Sequence, residues 1–189
     1  MLLFGHIGLT LAIVFLIFMF LKEDVDFRFV LIGSMLPDII DKPIGNFLFF
    51  DVFGNGRIFC HTLLFIAVLV GIGIIANRFG KGLGFQFLAL GAIFHIAEDY
   101  LWLHPETLFW PLFGWEFPKH EYGNYVMYLL QNLFTNMDTF VPEVVGLLIL
   151  GIFAYQCRLY RPDELKEFIF TGKLSSVWKG KNVAITPRA

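Results

Sequence analysis

Four stretches of the chain, residues 1–21, 58–76, 83–103 and 140–160, are apolar over the ~17–25 residues that a helix needs to cross about 30 Å of hydrocarbon. Few soluble folds can absorb four such stretches in 189 residues. The apolar share is 57% against about 45–50% in soluble domains, and charged residues make up 16% against about 25%. A globule of this size would have to expose part of its 24 Phe, 6 Tyr and 4 Trp to water. The expected fold is therefore an all-α, polytopic membrane bundle. The N-terminus has neither a basic flank nor a small-residue cleavage site, so its apolar run reads as a retained span.

Between the first two stretches, residues 27–36 and 44–53 form two shorter apolar patches interrupted at Pro37-Asp38. This pattern predicts a second span broken at that point, and broken backbone at membrane depth is tolerated where protein or a wet cavity satisfies it. About five spans result. With the N-terminus outside and the C-terminus cytoplasmic, 11 of the 14 Lys and Arg fall inside; only Lys42, Arg57 and Lys119 stay outside. Residues 1–160 form the membrane unit. Its outer connection, 104–139, carries Trp110, Trp115, Tyr122, Tyr125 and Tyr128 at headgroup level, with an interfacial helix expected over 121–134. The segment 161–189 reads as a cytoplasmic tail: a short helix over 162–170 closed by Gly172, then a basic stretch suited to anionic lipid heads. A net charge of −2 offers no field for nucleic acid. Two cysteines suffice neither for a disulfide framework nor for a cysteine-based zinc site.

An ionisable side chain inside an apolar span costs kilocalories unless it is paired, hydrated or metal-bound. Here the set is His6, Asp38, Asp41, His61, His95, Glu98, Asp99 and Glu143. Single members have ordinary readings. A lone histidine pairs helices as often as it binds metal, Pro37-Asp38 could be a kink with its own cap, and the cluster could relay protons. Glu143, behind Pro142, fits a first-turn acid favoured by the helix dipole. Cys60 points ~100° away from His61 on a helix and is expected to pack. Depth favours a shared site. Counted at ~1.5 Å per residue from the basic flanks, His6 lies ~24 Å above Lys22, Asp38 ~15 Å above Arg28, His61 ~26 Å above Arg78 and His95 ~21 Å above Lys81. Four segments put a His or Asp in one outer layer, where a common cation would satisfy them all. His95 and Asp99, four apart, make a two-ligand unit on one helix face.

The order of His6, Gly33-Ser34-Met35-Leu36-Pro37-Asp38-Ile39-Ile40-Asp41, Arg57-Ile58-Phe59-Cys60-His61-Thr62, Phe94-His95-Ile96-Ala97-Glu98-Asp99 and Phe109-Trp110-Pro111 resembles the YdjM family of membrane-bound, metal-dependent hydrolases over residues 1–115. Residues 105–111 resemble its archaeal branch. The family is similar in ligand set to zinc-dependent phospholipase C, and this resemblance implies metal ligation by His6, Asp38, His61, His95 and Asp99. Two positions depart from the pattern: Gly5 stands where a Thr is usual, and Gly56 where a His usually precedes the arginine, which implies one metal fewer or a narrower substrate range.

The expected function is a metal-assisted hydrolase with one or two divalent ions, zinc foremost, that lower the pKa of a water toward ~7. Asp41 or Glu98 would bridge a second ion or act as general base, and Arg57 would steady an anionic group of the substrate. The aromatic loop around Trp110 and Trp115 would admit a lipid-like substrate, a phosphoester or ester, from the outer leaflet. Membrane lipids are the expected partners. A divalent-cation or proton transporter is the rival reading, but the inner halves of the spans offer little polarity beyond Gln86. A metal-stapled scaffold without turnover is the third.

Overall fold

The protein is seen here as a computed structural model that describes residues 1–21, 23–120 and 123–174. Those residues form helices and no strand. Helix α1, Leu3–Leu21, carries no charge, and its first free N–H groups are satisfied from outside the helix by Glu143. Helix α2, Phe27–Pro43, starts at Asp26, whose carboxylate accepts from the Arg28 N–H. A widened π-type turn, Ile44–Leu48, and a short α3, Phe50–Phe53, follow and end at Gly54 in the left-handed region with φ +52°.

Next come a 3₁₀ turn, Phe59–His61, and α4, Leu63–Arg78, capped by the Thr62 hydroxyl on the Phe65 N–H. Helix α5, Gly84–Glu98, gives way at Tyr100, which is left-handed (φ 55°). A 3₁₀ turn, Leu101–Leu103, and a short α6, Pro105–Leu108, lead into the outer loop. Asn124 caps α7, Tyr125–Thr135, and Asn136 caps α8, Met137–Gln156. The last helix, α9, Pro162–Thr171, closes at Gly172 with φ +69°, as the sequence predicts.

Two helices, α1 and α8, are long and apolar enough to cross a membrane; α4 and α5 are apolar but shorter. Their outer ends differ from the expected spans for a physical reason. Residues 58–61 do not start α4, because the N–H groups of Ile58, Cys60 and His61 bond to Asp41 instead. Cys60 is thus not on an α-helix, though it is buried as expected. The second span is not broken at Pro37-Asp38. Helix α2 runs through Pro37 to Pro43, packed on α5 in the turns before the proline, and the irregular backbone comes later, from the π-type turn at Ile44 to Phe49. The helix expected over 121–134 is α7, Tyr125–Thr135; Glu121, Tyr122, Lys22 and the basic residues beyond Leu174 lie outside the described residues.

Packing is dominated by two pairs, α2 on α5 and α1 on α8. Both crossings are backbone to backbone. A Cβ on Gly33 would strike the Leu88 carbonyl, and one on Gly91 the Val30 carbonyl. A Cβ on Gly8 would strike Gly146, and one on Gly146 the Phe4 carbonyl. Such small-residue contacts hold helices together where lipid supplies no hydrophobic drive. At the bundle end away from His6, Leu11, Val14, Phe27, Val30, Phe153 and Leu174 form an apolar core. Helix α9 docks beneath it: Phe27 N–H donates to the Gly172 carbonyl (3.0 Å), and the Arg28 guanidinium binds the Ile169 and Phe170 carbonyls.

Candidate metal centre

Helix α2 places Asp38 and Asp41 one turn apart, both buried. Asp41 is fully enclosed. Its Oδ2 accepts from the N–H of Ile58 (2.9 Å), Cys60 (2.9 Å) and His61 (3.2 Å), and from His61 Nδ1 (2.7 Å). One carboxylate therefore folds the 58–61 turn and aims the His61 ring. With Nδ1 committed, His61 Nε2 faces Asp38 Oδ1 at 3.5 Å and His95 Nε2 at 3.2 Å.

His95, on α5, follows the same logic. Its Nδ1 donates to the Ser34 carbonyl (2.6 Å), a contact permitted by the Gly33 and Gly91 crossing, and its Nε2 stands 3.6 Å from Asp38 Oδ1. His6, on α1, stacks on His95 with centroids 4.0 Å apart. Its Nδ1 bonds Glu98 Oε2 (2.9 Å), Thr10 holds Glu98 Oε1 (3.0 Å), and His6 Nε2 lies 3.3 Å from Asp99 Oδ1. Three imidazoles thus spend Nδ1 on an acceptor; His61 and His95 converge with Nε2, and His6 turns its Nε2 to Asp99, the orientation that outer-shell partners impose on metal-binding histidines.

Whether the cluster fits a cation can be judged from its spacing. One ligand atom each from Asp38, His61, His95 and Asp99 lie within 4.8 Å of one another, all four residues buried, so these residues could hold a metal ion. Tetrahedral coordination at ~2.0–2.1 Å places donors ~3.3 Å apart, close to the 3.2, 3.5 and 3.6 Å separations among His61, His95 and Asp38. His6 Nε2 and Asp38 Oδ1 are buried with no hydrogen-bond partner, although both edge the cluster. Orphans of this kind are costly without a shared partner.

Charge agrees. Four carboxylates (Asp38, Asp41, Glu98, Asp99) and two cations (Lys42, Arg57) sum to −2, or −1 with the Met1 amine on Asp99 Oδ1. A divalent cation would cancel the first sum and leave a single positive charge on the second.

All eight expected site residues therefore lie in or against one cluster, in different positions. Asp38, His61, His95 and Asp99 face one point, and His6 borders it through Asp99. Asp41 and Glu98 bind the Nδ1 atoms of His61 and His6. Arg57 donates Nε to Asp99 Oδ2 at 2.8 Å and lines a cavity of about 640 Å³ with Lys42, Glu98 and one face of α7. His120 lines it too, its pKa held below the usual range by burial and by Arg57 and His104. Trp110 packs edge-on against Phe59, beside the 58–61 turn, while Trp115 is exposed.

Glu143 corrects the helix-dipole expectation. Because α8 starts at Met137, Glu143 lies beyond its first turn, and the buried carboxylate accepts from the N–H of Leu2, Phe4 and Gly5. Lys42 carries no site role in the sequence reading. Its ammonium pairs with Asp38 Oδ2, and the i,i+4 spacing of Asp38 and Lys42 is the signal that could have revealed it.

Apolar helices with lipid-compatible exteriors around a buried histidine and carboxylate cluster define an all-helical membrane protein with a candidate metal site. The chain belongs to the YdjM inner membrane protein family, whose model matches residues 1–163, beyond the motifs that end near residue 115. Comparison with curated proteins and with solved structures returns no match.

Proposed function

We propose that the protein is a membrane-embedded, metal-dependent hydrolase acting on a phosphoester or ester of a membrane lipid. The observation that supports this reading is the convergence of the His61 and His95 Nε2 atoms with carboxylate oxygens of Asp38 and Asp99, each ring held by its Nδ1, with His6 against Asp99 at the border. A bound divalent ion, zinc being the one whose tetrahedral nitrogen and oxygen preference suits this spacing, supplies Lewis acidity and brings the pKa of water toward ~7. One ion is enough for the cluster. Asp41 and Glu98 fix the His61 and His6 tautomers so that each Nε2 lone pair points inward. Glu98, on the cavity wall, accepts a proton from water as general base, and Thr10 holds its second oxygen. The apolar core beneath the cluster favours access from one side only, which counts against a transit site.

Protein purified in detergent should carry about one equivalent of divalent metal, and His95→Ala and Asp38→Ala should each lose most of it, since even outer-shell changes cost about 10–100-fold in metal affinity. Elemental analysis reads this directly. Metal-loaded protein should hydrolyse at least one member of a phospholipid and carboxyl-ester panel, and metal-stripped protein none. Wild type without metal sinks the reading; metal without turnover on any lipid leaves a stapled scaffold.

The proposed orientation has the N-terminus outside. Both native cysteines are buried, so an impermeant maleimide gives no background, and Cys157 itself is no reporter. Introduced at exposed positions, Trp115→Cys should label in intact cells and Phe170→Cys only after permeabilisation. The reverse pattern inverts the topology.

A further inference from the structure

Two basic side chains reach the floor of the cavity from different parts of the chain. Lys42 stands on the last turn of α2, with its ammonium on Asp38 Oδ2. Arg57 stands in the loop before α4, with Nε on Asp99 Oδ2 at 2.8 Å. Both remain partly exposed to the cavity, at 24% and 36% of the side chain.

Their closeness is built into the backbone. A Cβ on Gly56 would stand 3.0 Å from Lys42 Cγ and collide with the Asn46 amide, so the strand of chain carrying Arg57 lies directly on the lysine stem. Asn55 fixes that loop: its Oδ1 accepts the Arg57 N–H (2.8 Å), and its Nδ2 donates to the Pro118 carbonyl (2.8 Å). Each of the two cations is steadied by one carboxylate of the cluster, Lys42 by Asp38 and Arg57 by Asp99. A divalent cation between those carboxylates competes for the same negative charge. The field of Lys42 and Arg57 then turns toward the cavity, where an anion is the matching ligand.

We propose, on the hydrolase reading of this site, that Lys42 and Arg57 form a two-armed clamp for a phosphoryl oxyanion. This selects phosphate esters over neutral carboxyl esters. An ammonium holds a phosphoryl oxygen as a point charge, and a guanidinium whose Nε alone is engaged among the described residues offers its Nη edge to a second oxygen. The cavity, at about 640 Å³, leaves room beyond the phosphate for the rest of a headgroup.

The test is binding of inorganic phosphate to the full-length, metal-loaded protein in detergent, read by calorimetry beside the metal content of each sample. Wild type should bind phosphate, Lys42→Gln and Arg57→Gln should each weaken it by about tenfold, and Lys42→Arg should restore most of the affinity. Wild-type affinity in metal-loaded Lys42→Gln overturns the clamp, as does absence of phosphate binding by metal-loaded wild type. If Lys42→Gln loses its metal, metal-loaded Arg57→Gln decides, and wild-type phosphate affinity there overturns the proposal.

Dihexanoyl phosphatidic acid identifies the source. Competition with phosphate marks a lipid headgroup and its failure marks free phosphate, and either supports the clamp. Phosphate binding without hydrolysis of any lipid keeps the clamp and removes the hydrolase. Hydrolysis of phosphate esters at the wild-type rate in metal-loaded Lys42→Gln keeps the hydrolase and removes the clamp.

Discussion

Metal-free Asp41→Ala is expected to melt far below metal-free wild type. The carboxylate is fully buried and takes four N–H groups on one oxygen: three from the backbone of residues 58–61 and one from the His61 ring. Alanine leaves those donors in a site water does not reach. Each stranded donor costs about 1–3 kcal/mol, and with incomplete additivity the sum is on the order of 3–5 kcal/mol. The 58–61 turn has few other backbone partners, so it should lose its shape and release His61. Thermal unfolding in detergent after chelation isolates this effect from metal binding. An ion-bridging Asp41 predicts the opposite result, a loss of metal with unchanged melting of the metal-free protein. His61→Ala provides the comparison, because it removes a ligand and leaves the three backbone bonds to Asp41 intact.

The layer of histidines and carboxylates was legible in the sequence because depth along a helix is simple arithmetic. His6, Asp38, His61 and His95, read at one height on four segments, do meet. Neighbour preference was not legible. Nothing in the spacing tells whether Asp41 turns toward an ion or toward a backbone three residues from a histidine, since both lie on the same helix face. The position of the irregular backbone was misread for a related reason. Proline removes one N–H, but the Gly33 and Gly91 contacts that pack α2 on α5 just before Pro37 are tertiary, and single glycines at helical positions look like weak points in a sequence. Glu143 was assigned to its own helix because local rules favour it there, while its actual partners are about 140 positions away. The short helix before Gly172 was read correctly because every signal for it is local: Pro at the first turn, Asp163 and Glu164 after it, and glycine at the end.

Gly146→Ala should disturb the site from outside it. A methyl group at 146 meets the carbonyl of Phe4 and, at 2.9 Å, the Cα of Gly5, and backbone atoms cannot rotate out of its way. Helix α1 must therefore move off α8. Such overpacking costs about 1–3 kcal/mol and occasionally more. The displacement falls where α1 is tied down: Glu143 holds the N–H groups of Leu2, Phe4 and Gly5 at 2.7–3.0 Å, and the next residue is His6. Moving α1 lengthens the His6 contacts to Glu98 and Asp99, so metal affinity should fall together with stability, though residue 146 touches no ligand. Gly151→Ala is the matched control. No atom lies within 4 Å of its added methyl, and exchanging a mid-helix glycine for alanine there should stabilise α8 by roughly 0.5–1 kcal/mol. The pair separates helix propensity from close approach, since both variants gain the first and only one loses the second. Melting of the two proteins should therefore diverge in sign, and only Gly146→Ala should lose metal by elemental analysis. If Gly146→Ala instead matches Gly151→Ala in both, the crossing of α1 on α8 does not hold His6 in place, and its position would have to come from Glu98 and Thr10 alone.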